Sequence, residues 1–372
     1  MMYRPSLKSG LSLIILSVLA VGLYLVAAYS FVEIKSDHHD EKLAAVNLMQ
    51  SYLDALQDEV RARGIEIDPI NDPFQTGLIG HRLSAITTDR GLLSEKQAAI
   101  NPNIAAIFVD ELSRAKQGEK IAVGITGSNP AVNLALYAAI TVLELDPVII
   151  TSLSSASYGA NREELTWLDM ESILKDRGLL DFGSRYASLG GSEDLGVGLS
   201  DNGLAMLKNA MQRNGVPLLA GANLNENVDL RMAAYHELLG GQKRYRMFVN
   251  IGGGLANVGS EPNARLIPEG LNTKLAERNF EKEGVMMKMA KNNVPVLHVR
   301  RILRWARDYQ LNLAVDHRPV PGEGAVFSST IHNVTVASIC LALLILAIIA
   351  VIIFDRHDRR FMANIVDPDE EL

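Results

Sequence analysis

The sequence predicts a doubly wound α/β domain, with a mostly parallel sheet, between two terminal transmembrane helices. Three observations support this prediction: an uncharged apolar run near each end, short apolar runs rich in β-branched residues between them, and amphipathic helical patterns separating the short runs. Buried strands that alternate with helices are typical of a parallel sheet with helices on both faces. We therefore expect a Rossmann-like order of elements between two membrane anchors.

The terminal runs, Ser9–Val32 and Asn333–Phe354, carry no charged residue. Crossing about 30 Å of hydrocarbon takes roughly 20 helical residues, so both runs are long enough. Basic residues beside a span tend to stay in the cytoplasm. The flanking basic residues are Arg4, Lys8, Arg356, Arg359 and Arg360. They predict a two-pass protein with both termini cytoplasmic and the main domain extracytoplasmic.

A cleaved signal peptide is the alternative for the first run, because Ala27, Ala28 and Ser30 are small residues near its end. The run is longer than a typical signal core, which favours the anchor. The predicted organisation is an anchor at 1–33, a stalk helix and linker at 34–93, an α/β domain at 94–332, a second transmembrane helix at 333–354 and a cytoplasmic tail at 355–372.

Composition is that of a folded domain, with 48% hydrophobic residues in 372. The only cysteine, Cys340, lies in the second apolar run, so no disulfide can stabilise the outer domain. The formal net charge of −7 gives no reason to expect nucleic acid as a partner. Any anion site must therefore be local. A helix is predicted from Asp40 to Arg63, either packed on the domain or on a copy of itself in a homo-oligomer, or docking a partner.

The short apolar runs and the helical patterns define the elements of the domain. The predicted strands are Lys120–Ile125, Pro147–Thr151, Val216–Ala220, Arg246–Ile251 and Val294–Val299. The predicted helices are a stretch that starts at Ser94 with a capping-box pattern, then Pro130–Leu143, Glu163–Lys175, Asn202–Arg213, Asn225–Leu239, Leu271–Lys291 and Arg300–Tyr309. Ligands of such sheets bind beyond the carboxyl ends of the strands, so the loops there are the first place to look for a site.

Three of these loops have unusual sequences. In the loop at 126–130, Ser128 or Asn129 can cap a helix that has Pro130 at its first position, which leaves N–H groups for an anion or simply makes a well-capped helix. The serines at 151–157 can bind a carboxylate or phosphate, or solvate a turn. The glycines at 252–254 allow close approach to a ligand, or tight packing. None of these loops is a Walker or G-x-G-x-x-G motif, and we expect no cofactor.

The acidic residues and histidines form no known catalytic motif. Asp169 and Glu171 are predicted on a solvated helix face, and Glu193 with Asp194 form a loop pair freer to bind a cation, although no metal site is predicted. We expect the histidines to be surface residues or to have their hydrogen bonds satisfied in the core; they are His236, His298 and His317. A Ser-His-Asp arrangement assembled only in three dimensions, with Ser128, Ser154 or Ser155 as the nucleophile, stays open.

Several strings resemble the poly-γ-glutamate system protein family, which accompanies the bacterial synthase and export proteins for poly-γ-glutamate. They are TGSNPAVN at 126–133, TWLDME at 166–171, ASLGGSEDLGVGLS at 187–200 and VNIGGGLANVGS at 249–260, between two terminal spans. The resemblance runs over most of the chain. It implies the bacterial inner membrane and a role beside the polymer, but no assigned reaction, so it favours binding over catalysis.

The leading hypothesis is an anchored accessory domain that binds the nascent polymer, or its exporter, through helix N-termini and glycine-rich loops. The expected ligand-binding residues are Thr126, Gly127, Ser128, Asn129, Ser154, Ser155, Gly252, Gly253, Gly254 and Asn257, with positive charge from Arg162, Arg185 and Arg265. Two alternatives stay open. One is a hydrolase or transferase that uses a loop serine or the Glu193 and Asp194 pair, and the other is a scaffold for the synthase components.

Overall fold

The structure is a computed structural model that describes residues 9–275, 282–314 and 317–363, without the side chains of 358–363. It divides into two units, one from Ser36 to Phe327 and the other made of the residues up to Lys35 and from Ser328 onward. The helices are α1 (Gly10–Ala28), α2 (His39–Ala62), α3 (Leu93–Ala99), α4 (Ile104–Leu112), α5 (Pro130–Val142), α6 (Trp167–Asp176), α7 (Asp201–Arg213), α8 (Leu224–Leu239), α9 (Leu255–Val258), α10 (Glu261–Leu266), α11 (Val285–Lys291), α12 (Ile302–Asp308) and α13 (Val334–Ala363).

The strands are shorter than the helices. They are β1 (Phe31–Lys35), β2 (Thr87–Asp89), β3 (Lys120–Thr126), β4 (Asp146–Ser152), β5 (Ser155–Ala156), β6 (Asn161–Arg162), β7 (Leu165–Thr166), β8 (Ser184–Ser188), β9 (Phe248–Ile251), β10 (Gly270–Asn272), β11 (Val296–Val299) and β12 (Ser328–His332). The central unit has a mixed α/β fold around a six-stranded sheet in the order β10-β11-β9-β3-β4-β8. Only β10 is antiparallel to its neighbour, so five strands end at the same edge.

Both faces of the sheet are apolar and covered. On β3, Ile121 and Val123 belong to a core cluster with residues of α2 to α7 and α12, whereas Ala122 belongs to a second cluster with residues of α8 to α11. Alternate residues of a strand point to opposite faces, so a sheet buried on both sides needs continuous apolar runs. This requirement explains why β3 and β4 could be recognised from the sequence.

Helix α2 matches the helix predicted from Asp40 to Arg63, and it packs against α4, α5 and α6. Its residues Met49, Tyr52 and Leu56 are fully buried. The central unit thus begins at Ser36 and includes the segment that we assigned to a stalk and linker. The two ends of this unit meet, because the Ser36 N–H donates to the Phe327 carbonyl at 2.9 Å.

Two element predictions are wrong. Val216–Ala220 makes only an isolated bridge between Leu218 and Ala187, since Pro217 has no N–H with which to extend a ladder. The long helix predicted at Leu271–Lys291 starts only at Val285, and its predicted beginning includes part of strand β10. Residues 276–281 of that prediction lie outside the described part of the chain. Strand β8 was missed because Arg185 and Tyr186 interrupt its apolar pattern.

The terminal unit contains two helices that are long and apolar enough to cross a membrane. They cover Gly10–Ala28, with a mean hydropathy of 2.6, and Val334–His357, with a mean hydropathy of 3.3. The helices α1 and α13 pack against each other. Beside them, β1 and β12 form an antiparallel ribbon in which Phe31 pairs with His332 and Lys35 with Ser328. The start of α1 and the end of α13 therefore lie at the same end of the helix pair.

Candidate functional site

A cleft of about 400 Å³ lies at the sheet edge where the five parallel strands end. Loops that follow β3, β4, β8, β9 and β11 line it, together with the segment 88–96. Seven of the predicted site residues are among the lining residues: Thr126, Ser128, Asn129, Ser154, Gly252, Gly253 and Gly254. Its volume is within the range of small-molecule sites, about 300 to 1,000 Å³. The structure thus brings the three predicted loops to one place.

The first turn of α5 borders this cleft and has no side-chain cap. Asn129 is at the N-cap position and Pro130 follows it, but no side chain accepts a hydrogen bond from the helix start. The Ser128 hydroxyl instead accepts from the Ala156 N–H at 2.9 Å, and the Asn129 side-chain oxygen accepts from the Lys96 ammonium at 2.5 Å. The prediction that Ser128 or Asn129 caps this helix is therefore wrong. By contrast, side chains of Ser200 and Asn223 cap α7 and α8.

Lys96 was missed by the sequence reasoning, yet it is a central residue of the cleft. Its side chain is buried, and its ammonium also donates to the Ser128 carbonyl at 2.5 Å. Burial lowers the pKa of Lys96 to about 8, although the charges of Glu95 and Asp89 partly oppose this shift. No local pattern identifies Lys96, because α3 brings it to the cleft from a distant part of the chain.

Three arginines line the cleft: Arg90, Arg300 and Arg301. The guanidinium groups of Arg90 and Arg301 have no hydrogen-bond or ion-pair partner among the described residues, whereas Arg300 pairs with Glu261 at 2.9 Å. The backbone N–H groups of Arg300 and Arg301 donate to Glu269, whose pKa is raised by burial. Arg300 directly follows β11, so it lies at the carboxyl end of a parallel strand, where ligands of such sheets bind.

The acidic residues in the lining are already engaged within the protein. Glu261 pairs with Arg300, Glu95 accepts from the Leu303 N–H at 3.0 Å, and Asp89 accepts from the Arg90 N–H at 2.7 Å. Among the described lining residues four side chains are basic and three are acidic, and the guanidinium groups of Arg90 and Arg301 have no ion-pair partner. An approaching anion gains from these groups without breaking an ion pair.

The segment before Lys96 forms a fixed wall of the cleft. Strand β2 pairs with β5, and the hydroxyl groups of Thr88 and Ser154 are 3.0 Å apart. The Asn161 amide donates to the Thr87 hydroxyl at 2.9 Å. A Cβ on Gly91 would lie 2.2 Å from the Ser157 carbonyl oxygen, so only glycine permits this approach. The wall is held by hydrogen bonds and close backbone packing.

In the glycine run after β9, two glycines pack closely against Thr126 and one leaves its backbone open to the cleft. Gly252 has φ +93, and a Cβ there would lie 2.7 Å from the Thr126 hydroxyl. A Cβ on Gly254 would lie 3.1 Å from the Thr126 methyl carbon. At Gly253, however, the nearest atom to a Cβ would be the Arg300 Nε at 3.5 Å, so this residue exposes its backbone to the cleft.

Three predicted site residues do not line the cleft. Gly127 packs against the Leu153 carbonyl, and the buried Ser155 hydroxyl donates to the Gly127 and Ala156 carbonyls. Asn257 is buried and accepts from Arg231 at 3.3 Å. The arginines expected to add charge are elsewhere too. Arg162 is buried and donates to the Ile79 carbonyl, while Arg185 and Arg265 are exposed outside the lining.

A buried ion pair lies beneath the floor of the cleft. Arg231 and Asp194 are fully buried, and their charged groups are 3.0 Å apart. Arg231 also donates to the hydroxyls of Ser152 and Ser188, at 2.8 and 2.7 Å, and both hydroxyls donate to Asp194. Because Ser152 lines the cleft, this network fixes the end of β4 relative to β8.

Glu193 and Asp194 do not form the carboxylate pair considered from the sequence. Glu193 is at the surface, where it accepts from the Leu224 N–H and lies 3.6 Å from Lys282, whereas Asp194 turns into the core. Both residues have positive φ values, 56 and 60. Within the described ranges, no group of three or more His, Cys, Asp or Glu side chains is placed to hold a metal ion.

The prediction that Asp169 and Glu171 lie on a solvated face is wrong. Asp169 closes a capping box with Thr166 and pairs with Arg213 at 2.6 Å. Burial opposes its ionisation, but hydrogen bonds from Arg213, Asn214 and Thr166 hold its pKa below the usual value. Glu171 is buried and accepts hydrogen bonds from the side chains of Tyr137, Trp167 and Ser184. Burial raises its pKa despite these bonds.

None of the described residues that line the cleft is a histidine, so no histidine in the lining can act as a general base there. His298 is buried, where Asn250 donates to its Nδ1 and its Nε2 contacts the Ala264 carbonyl, and burial lowers its pKa to about 4. His236 and His317 are exposed. The Ser154 hydroxyl contacts Thr88, and Ser152 is held by Arg231 and Asp194. The arrangement suits anion binding better than attack by an activated serine.

No protein-family model, no curated protein and no solved structure matches this chain. The resemblance to the poly-γ-glutamate system family therefore depends on the quoted strings alone.

Proposed function

We propose that this chain is a membrane-anchored accessory protein of poly-γ-glutamate synthesis or export, and that its cleft binds the anionic polymer. The observation that carries the proposal is the cleft itself. It combines an uncapped helix start, the exposed backbone at Gly253 and the unpaired guanidinium groups of Arg90 and Arg301. Carboxylates are recognised by backbone N–H groups and by guanidinium groups.

The terminal helices support the membrane part of the proposal. Both are long and apolar enough to span a bilayer, and basic residues flank their outer ends in the sequence. In this topology both termini are cytoplasmic, and the Rossmann-like domain faces the side of the inner membrane where the polymer emerges. Reporter fusions test this placement. An active cytoplasmic reporter inserted in the central unit would overturn it.

Binding is tested with full-length protein in nanodiscs and poly-γ-glutamate of defined length, by isothermal titration calorimetry. We expect binding that weakens as salt rises, because charge attraction contributes to it. Arg301→Gln removes an unpaired cation from the cleft and is expected to weaken binding about five- to thirtyfold. The matched control Arg307→Gln, on the exposed side of α12, is expected to leave it unchanged.

Two outcomes contradict the proposal. One is the absence of binding at low salt, and the other is equal loss of affinity in the Arg301 and Arg307 variants, which would place the polymer elsewhere. Shortened polymer after incubation would instead favour the hydrolase alternative. Intact polymer production after Arg301→Gln and Gly253→Val, in a protein that still folds, would favour the scaffold alternative.

A further inference from the structure

We infer that one face of the ribbon formed by β1 and β12 binds lipid, and that it rests in the headgroup region of the bilayer. This face consists of Val32, Ile34 and Ile331, and we call it the apolar ribbon face. The inference rests on the membrane part of the proposed function and goes beyond it, because it does not depend on polymer binding.

The apolar ribbon face follows from the register of the two strands. Val32 pairs with Ile331, and Ile34 pairs with Ser329. Paired residues lie on the same face of a sheet, and alternate residues of one strand lie on opposite faces. Val32, Ile34 and Ile331 therefore share a face, and their exposed fractions are 40%, 47% and 41%. Three branched apolar side chains are thus left accessible side by side.

The opposite face of the ribbon is mostly polar, and its side chains contact one another. Phe31 stacks on His332 with ring centroids 4.7 Å apart, and the Ser328 hydroxyl donates to the Glu33 carboxylate. The remaining members of this face are Thr330 and Lys35. The ribbon is therefore amphipathic, with hydrogen-bonding and charged groups on one side and only Ser329 among the apolar groups of the other.

The ribbon begins where the hydrocarbon of a bilayer would end. The apolar part of α13, from Val334 to Phe354, is about 30 Å long, which equals the usual hydrocarbon thickness. The charged residue Asp355 follows at one end, and the ribbon lies at the other. Tyrosines are enriched at membrane–water interfaces, and Tyr24 and Tyr29 are exposed near the end of α1 from which β1 continues. The ribbon is therefore at the level of the headgroups.

Lipid fits the apolar ribbon face better than a protein partner does. A specific protein interface buries about 800 Å² on each side, which three side chains cannot supply. A ribbon of only two strands is marginally stable in water by itself. Placing its apolar side chains at the boundary of the acyl chains removes them from water, while the polar face stays hydrated.

The test measures which face of the ribbon meets lipid. Full-length protein with Cys340→Ala receives a single nitroxide through Val32→Cys, Ile34→Cys or Ile331→Cys, and is reconstituted into phosphatidylcholine liposomes. Power-saturation electron paramagnetic resonance then compares collisions with oxygen, which concentrates in lipid, and with a water-soluble nickel complex. All three labelled positions are exposed, so these changes leave the core intact.

Matched controls come from the opposite face of the ribbon. Glu33→Cys and Thr330→Cys lie at the same depth, because these two residues pair with each other between the Val32 and Ile34 pairs. We expect the oxygen-to-nickel ratio on the apolar ribbon face to exceed that of these controls by about threefold or more. Ile345→Cys, on an exposed side of α13, gives the ratio for a position inside the hydrocarbon.

Two outcomes would overturn the inference while the membrane spans stand. Equal ratios on both faces, with a lipid-like ratio at Ile345→Cys, would place the whole ribbon in water. Protection of the apolar ribbon face from both reagents, with magnetic broadening between labelled copies, would show that a second copy of the chain covers it. A water-like ratio at Ile345→Cys would instead reject the membrane part of the proposed function, and the inference with it.

Discussion

Two glycine-rich loops follow parallel strands of the same sheet, and they have opposite uses. The loop at 252–254 leaves the backbone of Gly253 open to the cleft. The loop at 190–198 turns back on itself and places the Asp194 carboxylate against Arg231 in the core. Glycine supplies the backbone freedom in both cases. The comparison shows that a glycine run marks a tight turn, and that the surrounding side chains decide whether the turn binds a ligand or supports the floor.

The largest change in stability is expected when the buried ion pair between Arg231 and Asp194 is broken. Asp194→Ala leaves the Arg231 guanidinium buried without its counter-charge, so we expect a loss of about 3 to 5 kcal/mol in the free energy of unfolding. Urea unfolding of the full chain in detergent, followed by circular dichroism, measures it. The neighbouring Glu193→Gln is expected to cost less than about 1 kcal/mol, because Glu193 is at the surface. Similar losses of stability in Asp194→Ala and Glu193→Gln would contradict the claim that the loop at 190–198 supports the floor of the cleft through Asp194.

A smaller difference in stability is expected between alanine substitutions at Gly190 and at Gly253. Gly190 has φ +76, and a Cβ there would lie 2.4 Å from the Ser154 hydroxyl, so we expect Gly190→Ala to cost about 2 kcal/mol. Gly253 lacks both constraints, and Gly253→Ala is expected to change stability by less than about 0.5 kcal/mol. The same unfolding assay compares them. Equal costs would mean that both loops are limited by packing.

The smallest expected effect concerns Lys96. Its pKa of about 8 makes it neutral at pH 9, whereas an ordinary lysine titrates near 10.4, so its labelling by acetic anhydride should reach half of its maximum near pH 8. A bound anion favours the ammonium form and should raise this midpoint by about one unit, or about 1.4 kcal/mol. Peptide mass spectrometry with and without polymer measures both values. An unshifted midpoint with saturating polymer would place the polymer away from Lys96.

The buried Lys96 also predicts a dependence of stability on pH. Because its folded-state pKa is lower than its unfolded value, the unfolded chain binds more protons between about pH 8 and 10.4. The contribution of Lys96 to the free energy of unfolding therefore rises through this window. Lys96→Met should remove that rise, which unfolding curves at pH 7.5 and 9.5 can test. An unchanged pH dependence in the variant would assign the rise to other groups.

The sequence was informative where a pattern is local. The apolar runs predicted β3, β4, β9 and β11 to within two residues at each end, because strands buried on both faces need uninterrupted apolar side chains. The carboxyl ends of parallel strands meet at one edge of a sheet, and this rule correctly predicted that the loops at 126–129 and 252–254 lie together. The apolar pattern did not predict β8, because Arg185 and Tyr186 interrupt it in this strand at the edge of the sheet.

The missed parts of the site depend on contacts between distant segments. Lys96 reaches the cleft through hydrogen bonds to residues more than thirty positions away, and nothing near it in sequence indicates this. Asp194 and Glu171 were expected at the surface or in a loop because carboxylates usually are. Their burial depends on Arg231 and on Tyr137 with Trp167, which the fold brings together across the chain. Only a three-dimensional structure supplies such pairings.

The hydrogen bond between Ser36 and Phe327 has a practical consequence. A polypeptide that enters and leaves a folded body at neighbouring points can be closed into a ring with little added entropy cost, since short connections cost less than long ones. The segment from 36 to 327 is therefore suited to circularisation, to new termini at an exposed surface turn, and to transplantation as a cassette into an unrelated helical hairpin.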